Sequence, residues 1–168
     1  MVSDGMGPQS YPRLGDDRRV AGFEYRNETI VRAPRAEAFA WWTDFTPDDH
    51  AGERTLHGSR TELRREGDAW TFTDEYVTMG LRTRWRWRVA LHPPQWEEMH
   101  GETKLGRLDG IITFQEAQGG TRVQEVGTFT ATGAGRVLLR VLRRSLTRLL
   151  AEDFKEHWEE FRRDRGSL

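Results

Sequence analysis

Asp74, Glu98, His100 and Glu125 are three acids and a base set among aromatic residues, an arrangement suited to proton transfer. Asp74 shares strand parity with Trp70, Phe72 and Tyr76, and Glu98 shares it with Trp96 and His100. A carboxyl group buried among rings loses hydration, which disfavours its charged form and raises its pKa toward neutrality. A general acid or base is prepared in this way. Asp74 with Tyr76, or Glu98 with His100, is therefore a candidate pair for protonating or deprotonating a bound carbonyl compound. The plainer reading is a carboxylate at a strand end or paired with one of many nearby arginines. Asp153 and His157 stand one helical turn apart, and an Asp can orient and charge an imidazole. A helix-edge ion pair is the alternative there. His50, His57, Asp48, Asp49 and Glu53 crowd one segment, but their spacing fits no familiar ligand set, so no metal is expected. The chain has no Cys, which excludes disulfides, thiolate metal sites and thiol nucleophiles. It also lacks a GxSxG elbow and a Gly-rich phosphate loop, and no cofactor is expected.

The elements that must position these groups are mostly strands. Phe23, Tyr25, Thr29 and Val31 alternate with Glu24, Arg26, Glu28 and Arg32, as a half-buried strand requires, with Ile30 breaking the pattern. Ala33-Pro34 ends that strand, and Pro opens a short helix with Ala36, Phe39, Ala40 and either Trp42 or Thr43 inward, running to about Asp44. Thr46-Pro47 can begin a second short helical turn. Strands follow over 60–66 and 69–78, and then over 81–92, where Trp85, Trp87, Val89 and Leu91 alternate with Arg82, Arg84, Arg86 and Arg88. Pro93-Pro94 breaks this strand, and 95–104, 108–117 and 121–132 complete seven, with Gly119-Gly120 turning the last hairpin. Short connections predict an antiparallel meander.

A final helix is expected over about 135–163, roughly 43 Å long at 1.5 Å per residue. Leu138, Leu142, Leu146 and Leu149 form an early apolar face, whereas Leu150, Phe154, Trp158 and Phe161 form a later one rotated about the axis. Two different surroundings are implied. Arg136, Arg140, Arg144 and Arg148 recur at four-residue spacing. Such a stripe can meet a lipid head group, a phosphate or a partner helix, or it can be a solvated face with Arg148 paired to Glu152.

At 168 residues the chain suits one domain, expected over 20–168 behind a flexible arm at 1–19. Charged residues make up 32%, yet seven Trp, three Tyr and eight Phe argue against disorder. With a formal net charge of −1, no global field recruits nucleic acid. Residues 1–20 lack the apolar centre of a secretory signal, and no window suits a transmembrane segment, so a cytoplasmic protein is expected.

The Ile30-Val31-Arg32-Ala33-Pro34 entry, the EAFAWWTDF helix, the Gly-Gly-Thr-Arg-Val hairpin at 119–123 and the terminal amphipathic helix together resemble the START-like (SRPBCC) helix-grip superfamily. The resemblance covers about residues 22–163. That group includes the birch-pollen allergen type, polyketide cyclase/dehydrase-like and lipid-transfer proteins. It implies an α+β fold: a curved seven-stranded antiparallel sheet around a long C-terminal helix, with two short helices after the first strand. It also implies a hydrophobic or amphipathic ligand, of lipid, quinone or polyketide type, held between sheet and helix. Trp70, Phe72, Tyr76, Trp85, Trp87, Ile112, Phe114 and Phe129 are the expected sheet lining, with Leu142, Leu146, Leu149, Leu150 and Phe154 from the helix. A cyclase/dehydratase-type enzyme using the same cavity is one alternative. A protein or peripheral membrane contact through the basic helix face is another.

Overall fold

Alternation of apolar and polar residues builds a seven-stranded sheet, seen in a computed structural model that describes residues 21–49, 55–78 and 80–166. The arm at 1–19, and His50 and Glu53, lie outside the described residues. The strands are β1 (Gly22–Val31), β2 (Gly58–Glu66), β3 (Ala69–Thr78), β4 (Leu81–His92), β5 (Trp96–Thr103), β6 (Gly106–Ala117) and β7 (Gly120–Ala131). All neighbours are antiparallel, in the order β1-β7-β6-β5-β4-β3-β2. The meander expected from the short turns holds from β2 to β7. β1 departs from it, pairing with β7 at one edge while β2 forms the other, so the chain between them must cross the open face.

Helix α1 (Arg35–Trp42) begins that crossing. Pro34 precedes it and its carbonyl accepts from the amides of Glu37 and Ala38, which starts the helix without a side-chain cap. Ala38 and Phe39 are its buried residues, whereas Ala36 and Ala40, expected to face inward, are exposed. The reason is Phe39, whose ring meets Phe114 edge-on at 5.2 Å and thereby sets the rotation of an eight-residue helix. At Pro47–Asp49 the chain makes a turn, and among the described residues no second helix follows α1 before β2.

Helix α2 (Gly135–Gly166) has 32 residues and extends about 48 Å, enough to cross the whole sheet. Its second half buries Phe154, Trp158 and Phe161 in one core with Val31, Phe39, Phe72, Leu91, Ile112 and Phe114. Trp42 stacks on Trp158 at 5.2 Å and 12°, so α1 and α2 close one end of the concavity with rings. The first half fully buries Leu139 alone among its leucines, against Phe23, Leu108, Phe129 and Ala131, while Leu146 and Leu150 pack against that cluster only partly buried. No helix among the described residues is long and apolar enough to cross a membrane.

Candidate functional site

Under that row of leucines lies a cavity of about 540 Å³, within the size range of small-molecule sites. Phe72, Tyr76, Trp85, Trp87 and Phe129 line it from the sheet, and Leu142, Leu146, Leu149, Leu150 and Phe154 from α2. Trp85 and Trp87 point the same way along β4 and stack at 5.3 Å and 15°. Side chains lie close against the sheet where glycine leaves room. A Cβ at Gly101 would run into the Trp87 ring and one at Gly127 into the Tyr25 ring, while one at Gly110 would stand 3.1 Å from Met99.

Three buried acids of the sheet, Asp74, Glu125 and Glu97, interrupt the apolar wall. On β3, Asp74 is 1% exposed and is gripped by both arms of Arg60, Nε to Oδ1 at 2.9 Å and Nη2 to Oδ2 at 3.1 Å. Tyr76 donates its hydroxyl to Asp74 Oδ2 at 2.7 Å, and Arg60 also binds Asp49 while lying 3.9 Å over the Phe72 ring. Burial first, and then the Asp74 charge, push the Tyr76 phenol well above its ordinary pKa. This group is an ion pair with its oxygens engaged.

Glu125 on β7 accepts from Tyr25 Oη at 3.0 Å and from Asn27 Nδ2 at 2.8 Å. Burial raises its pKa to about 7, although both hydrogen bonds pull it down. Glu97 on β5 is 2% exposed and is pushed by burial to about 8. Its Oε1 accepts from Trp42 Nε1 at 2.8 Å, while Oε2 has no partner among the described residues. The pairings Leu91↔Glu97, Glu97↔Ile112, Ile112↔Glu125 and Asn27↔Glu125 place the two acids in one row across the sheet floor. Two inter-strand steps separate their backbones by about 10 Å.

No family model matches the sequence, and no curated protein matches it. Solved structures do match the fold. A protein from Thermus thermophilus superposes with a TM-score of 0.69 at 22% identity, over 82% of this chain and 95% of that one. The Zhui aromatase/cyclase from Streptomyces sp. R1128 gives 0.66 at 13% identity, over 84% and 94% of the two chains. The Bet v 1 allergen Ara h 8.0201 gives 0.53 at 14%, over 77% and 94%. The chain has the helix-grip fold that these structures share. Two di-domain ARO/CYC proteins share it, and the chain spans about half their length, 48% and 53%.

In this helix-grip frame the residues picked from the sequence separate into groups. Ile112 and Phe114, expected in the lining, are buried in solid core instead, because α1 and the second half of α2 fill that end with Phe39 and Trp158. Trp70 packs edge-on to Phe45 at 5.7 Å, outside the cavity wall. Glu98 and His100 are corrected outright: they lie on the outer face, where His100 binds Asp109 Oδ1 and Glu102. The inward residues of β5 are Glu97, Met99 and Gly101, the opposite parity. Trp96 misled, since it stacks on His92 outside the sheet at 3.6 Å.

Asp153 and His157 do line the cavity, with His157 Nδ1 donating to the Asp153 carbonyl at 3.0 Å and 3.9 Å from its carboxylate. Among the described residues, no cluster of three or more His, Asp or Glu is arranged to hold a metal ion. Glu97 is the group that sequence reasoning missed. The available signal was the short turn at Pro93-Pro94, whose tight closure sets Glu97 opposite the apolar Leu91.

Proposed function

We propose that the protein binds a hydrophobic or amphipathic small molecule, of lipid, quinone or polyketide type, between its sheet and α2. The observation that carries this reading is the hollow itself. Close packing is the rule inside proteins, and a void lined by Trp, Phe and Leu forfeits contacts on every side. A ligand of matching shape restores them. Native mass spectrometry of the purified protein, followed by extraction, tests the reading: a retained apolar compound is expected. An empty protein whose melting temperature is unmoved by a panel of apolar ligands would overturn it.

The likeness to an aromatase/cyclase favours a second reading, a cyclase/dehydratase-type enzyme in which Glu97 or Glu125 moves a proton. Asp74 with Tyr76 is less suited to that task, because Arg60 already holds both carboxylate oxygens. A binder retains its ligand unchanged. An enzyme turns it over, with a rate that falls when Glu97 or Glu125 becomes Gln.

Val137 and Val141, 68% and 78% exposed beside Arg136, Arg140 and Arg144, favour a peripheral contact of this helix face with an anionic membrane surface. Salt-sensitive co-sedimentation with phosphatidylglycerol vesicles is expected, lost when Arg140 and Arg144 become Glu. Equal sedimentation with phosphatidylcholine vesicles would count against it.

A further inference from the structure

We propose that Glu97 is the specificity-determining hydrogen-bond donor of the cavity, and that it selects an uncharged ligand presenting a carbonyl-type acceptor oxygen. The proposal rests on the binding reading above and names the ligand chemistry for that site.

The two oxygens of Glu97 are in different states. Oε1 accepts the indole N–H of Trp42 at 2.8 Å, so in the neutral acid the proton belongs on Oε2. Oε2 has no partner among the described residues, and at 2% exposure the side chain has almost no access to bulk water. An unmet buried donor is costly, and an acceptor brought by a ligand recovers that cost. Glu125, two strands away in the same row, is the control within the molecule: both its oxygens already accept, from Tyr25 and Asn27. A second unmet donor, Trp87 Nε1, belongs to a ring of the same cavity wall. Arg60 is engaged by Asp74 and Asp49. A ligand carboxylate placed against Glu97 would therefore meet an acid and unmet neutral donors.

The titratable groups sharing the cavity with Glu97 are Glu125 and Tyr25 from the β7–β1 edge, Arg60, Asp74 and Tyr76 from β2 and β3, Asp153, Glu156, His157, Glu160, Arg163 and Asp164 from α2, and Asp44, Asp48 and Asp49 from the chain after α1. α1 presents Trp42 and no charge to it. Burial keeps the Glu97 proton in place to about pH 8.

Four probes of one shape test the assignment by quenching of tryptophan fluorescence: fluorene, 9-fluorenone, fluorene-9-carboxylate and 9-aminofluorene. At pH 6.5, fluorenone should bind about tenfold tighter than fluorene, and the carboxylate should bind weakest. Glu97→Leu should abolish the fluorenone preference. Glu97→Gln, which keeps an acceptor for Trp42 and an N–H donor, should retain it. At pH 9 the wild type should lose the preference as Glu97 ionises, while Glu97→Gln keeps it. Equal binding of fluorene and fluorenone to the wild type overturns the role of Glu97 and leaves the cavity reading intact. Tightest binding of the amine makes this a cation site and overturns the proposal too. Failure of all four probes to bind removes the cavity reading and the proposal together.

Discussion

Trp158, in the second half of α2, is fully buried among rings, whereas Leu142 and Leu146, in its first half, stay partly exposed beside open space. Both belong to one continuous helix lying on one sheet. At one end Phe39, Trp42, Phe114 and Phe161 interlock around Trp158, and at the other the sheet floor and the helix are held apart. Solid packing at one end lets the other remain hollow, because α2 is anchored without needing its leucines to reach the sheet. The α2 rings that pack the core, Trp158 and Phe161, and the α2 leucines that line the hollow, Leu142 and Leu146, are thereby different residues.

Truncation at the packed end sets the largest expected effect. Trp158→Ala should cost about 3–5 kcal/mol in urea denaturation, the range for removing a large aromatic from a core. A loss under about 1 kcal/mol would erase the distinction between the two ends. Asp74→Ala probes the buried ion pair in the wall of the hollow end. It leaves Arg60 buried without its principal partner, and a loss of about 3–5 kcal/mol is expected by the same measurement.

The next effect is on pH dependence. Glu97 and Glu125 hold their protons more tightly folded than unfolded, at about 8 and about 7 against the ordinary carboxylate range. The folded state then binds more protons, so their contribution is complete below about pH 4.5 and is lost as pH rises through 7 and 8. Each group changes stability by at most about 1.4 kcal/mol per pH unit within its window. The urea midpoint should be lower at pH 8 than at pH 5.5, and Glu97→Gln should narrow that gap. An unchanged gap would mean that Glu97 ionises normally.

Leu146→Ala should lower stability by only about 1 kcal/mol, since the side chain is partly exposed and faces a void. It should nevertheless weaken binding of an apolar probe, read by fluorescence titration. The smallest effect is expected from Arg148→Ala. Its pair with Glu152, at 2.7 Å, is exposed, and the midpoint of denaturation should not move measurably.

Strand positions were legible because alternation is a direct imprint of one wet and one dry face. The stretches 69–78 and 81–92 were bounded in the sequence as they are in the sheet. β5 was misread for a reason tied to the cavity. Its inward positions carry an acid and a glycine, Glu97 and Gly101, while its outer face carries Trp96, so polarity runs against the usual rule. The two apolar faces of α2 were also legible, but not which of them would meet empty space. Volume depends on how rings from α1 and the sheet meet, and Ile112 and Phe114 look no different in sequence from Phe72 and Phe129. The edge pairing of β1 with β7 was likewise hidden, since it joins residues about a hundred positions apart.

The glycines beneath Trp87 and Tyr25 carry a consequence for how such a pocket can diversify. At Gly101 a single methyl group would collide with the indole and tip it up off the floor; at Gly127 it would do the same to the phenol ring. Pocket depth is thus governed by atoms that are missing from the far side of each ring, where no ligand reaches. Descendants of this chain could acquire a shallower hollow through one-methyl changes while every side chain that lines it kept its chemical identity.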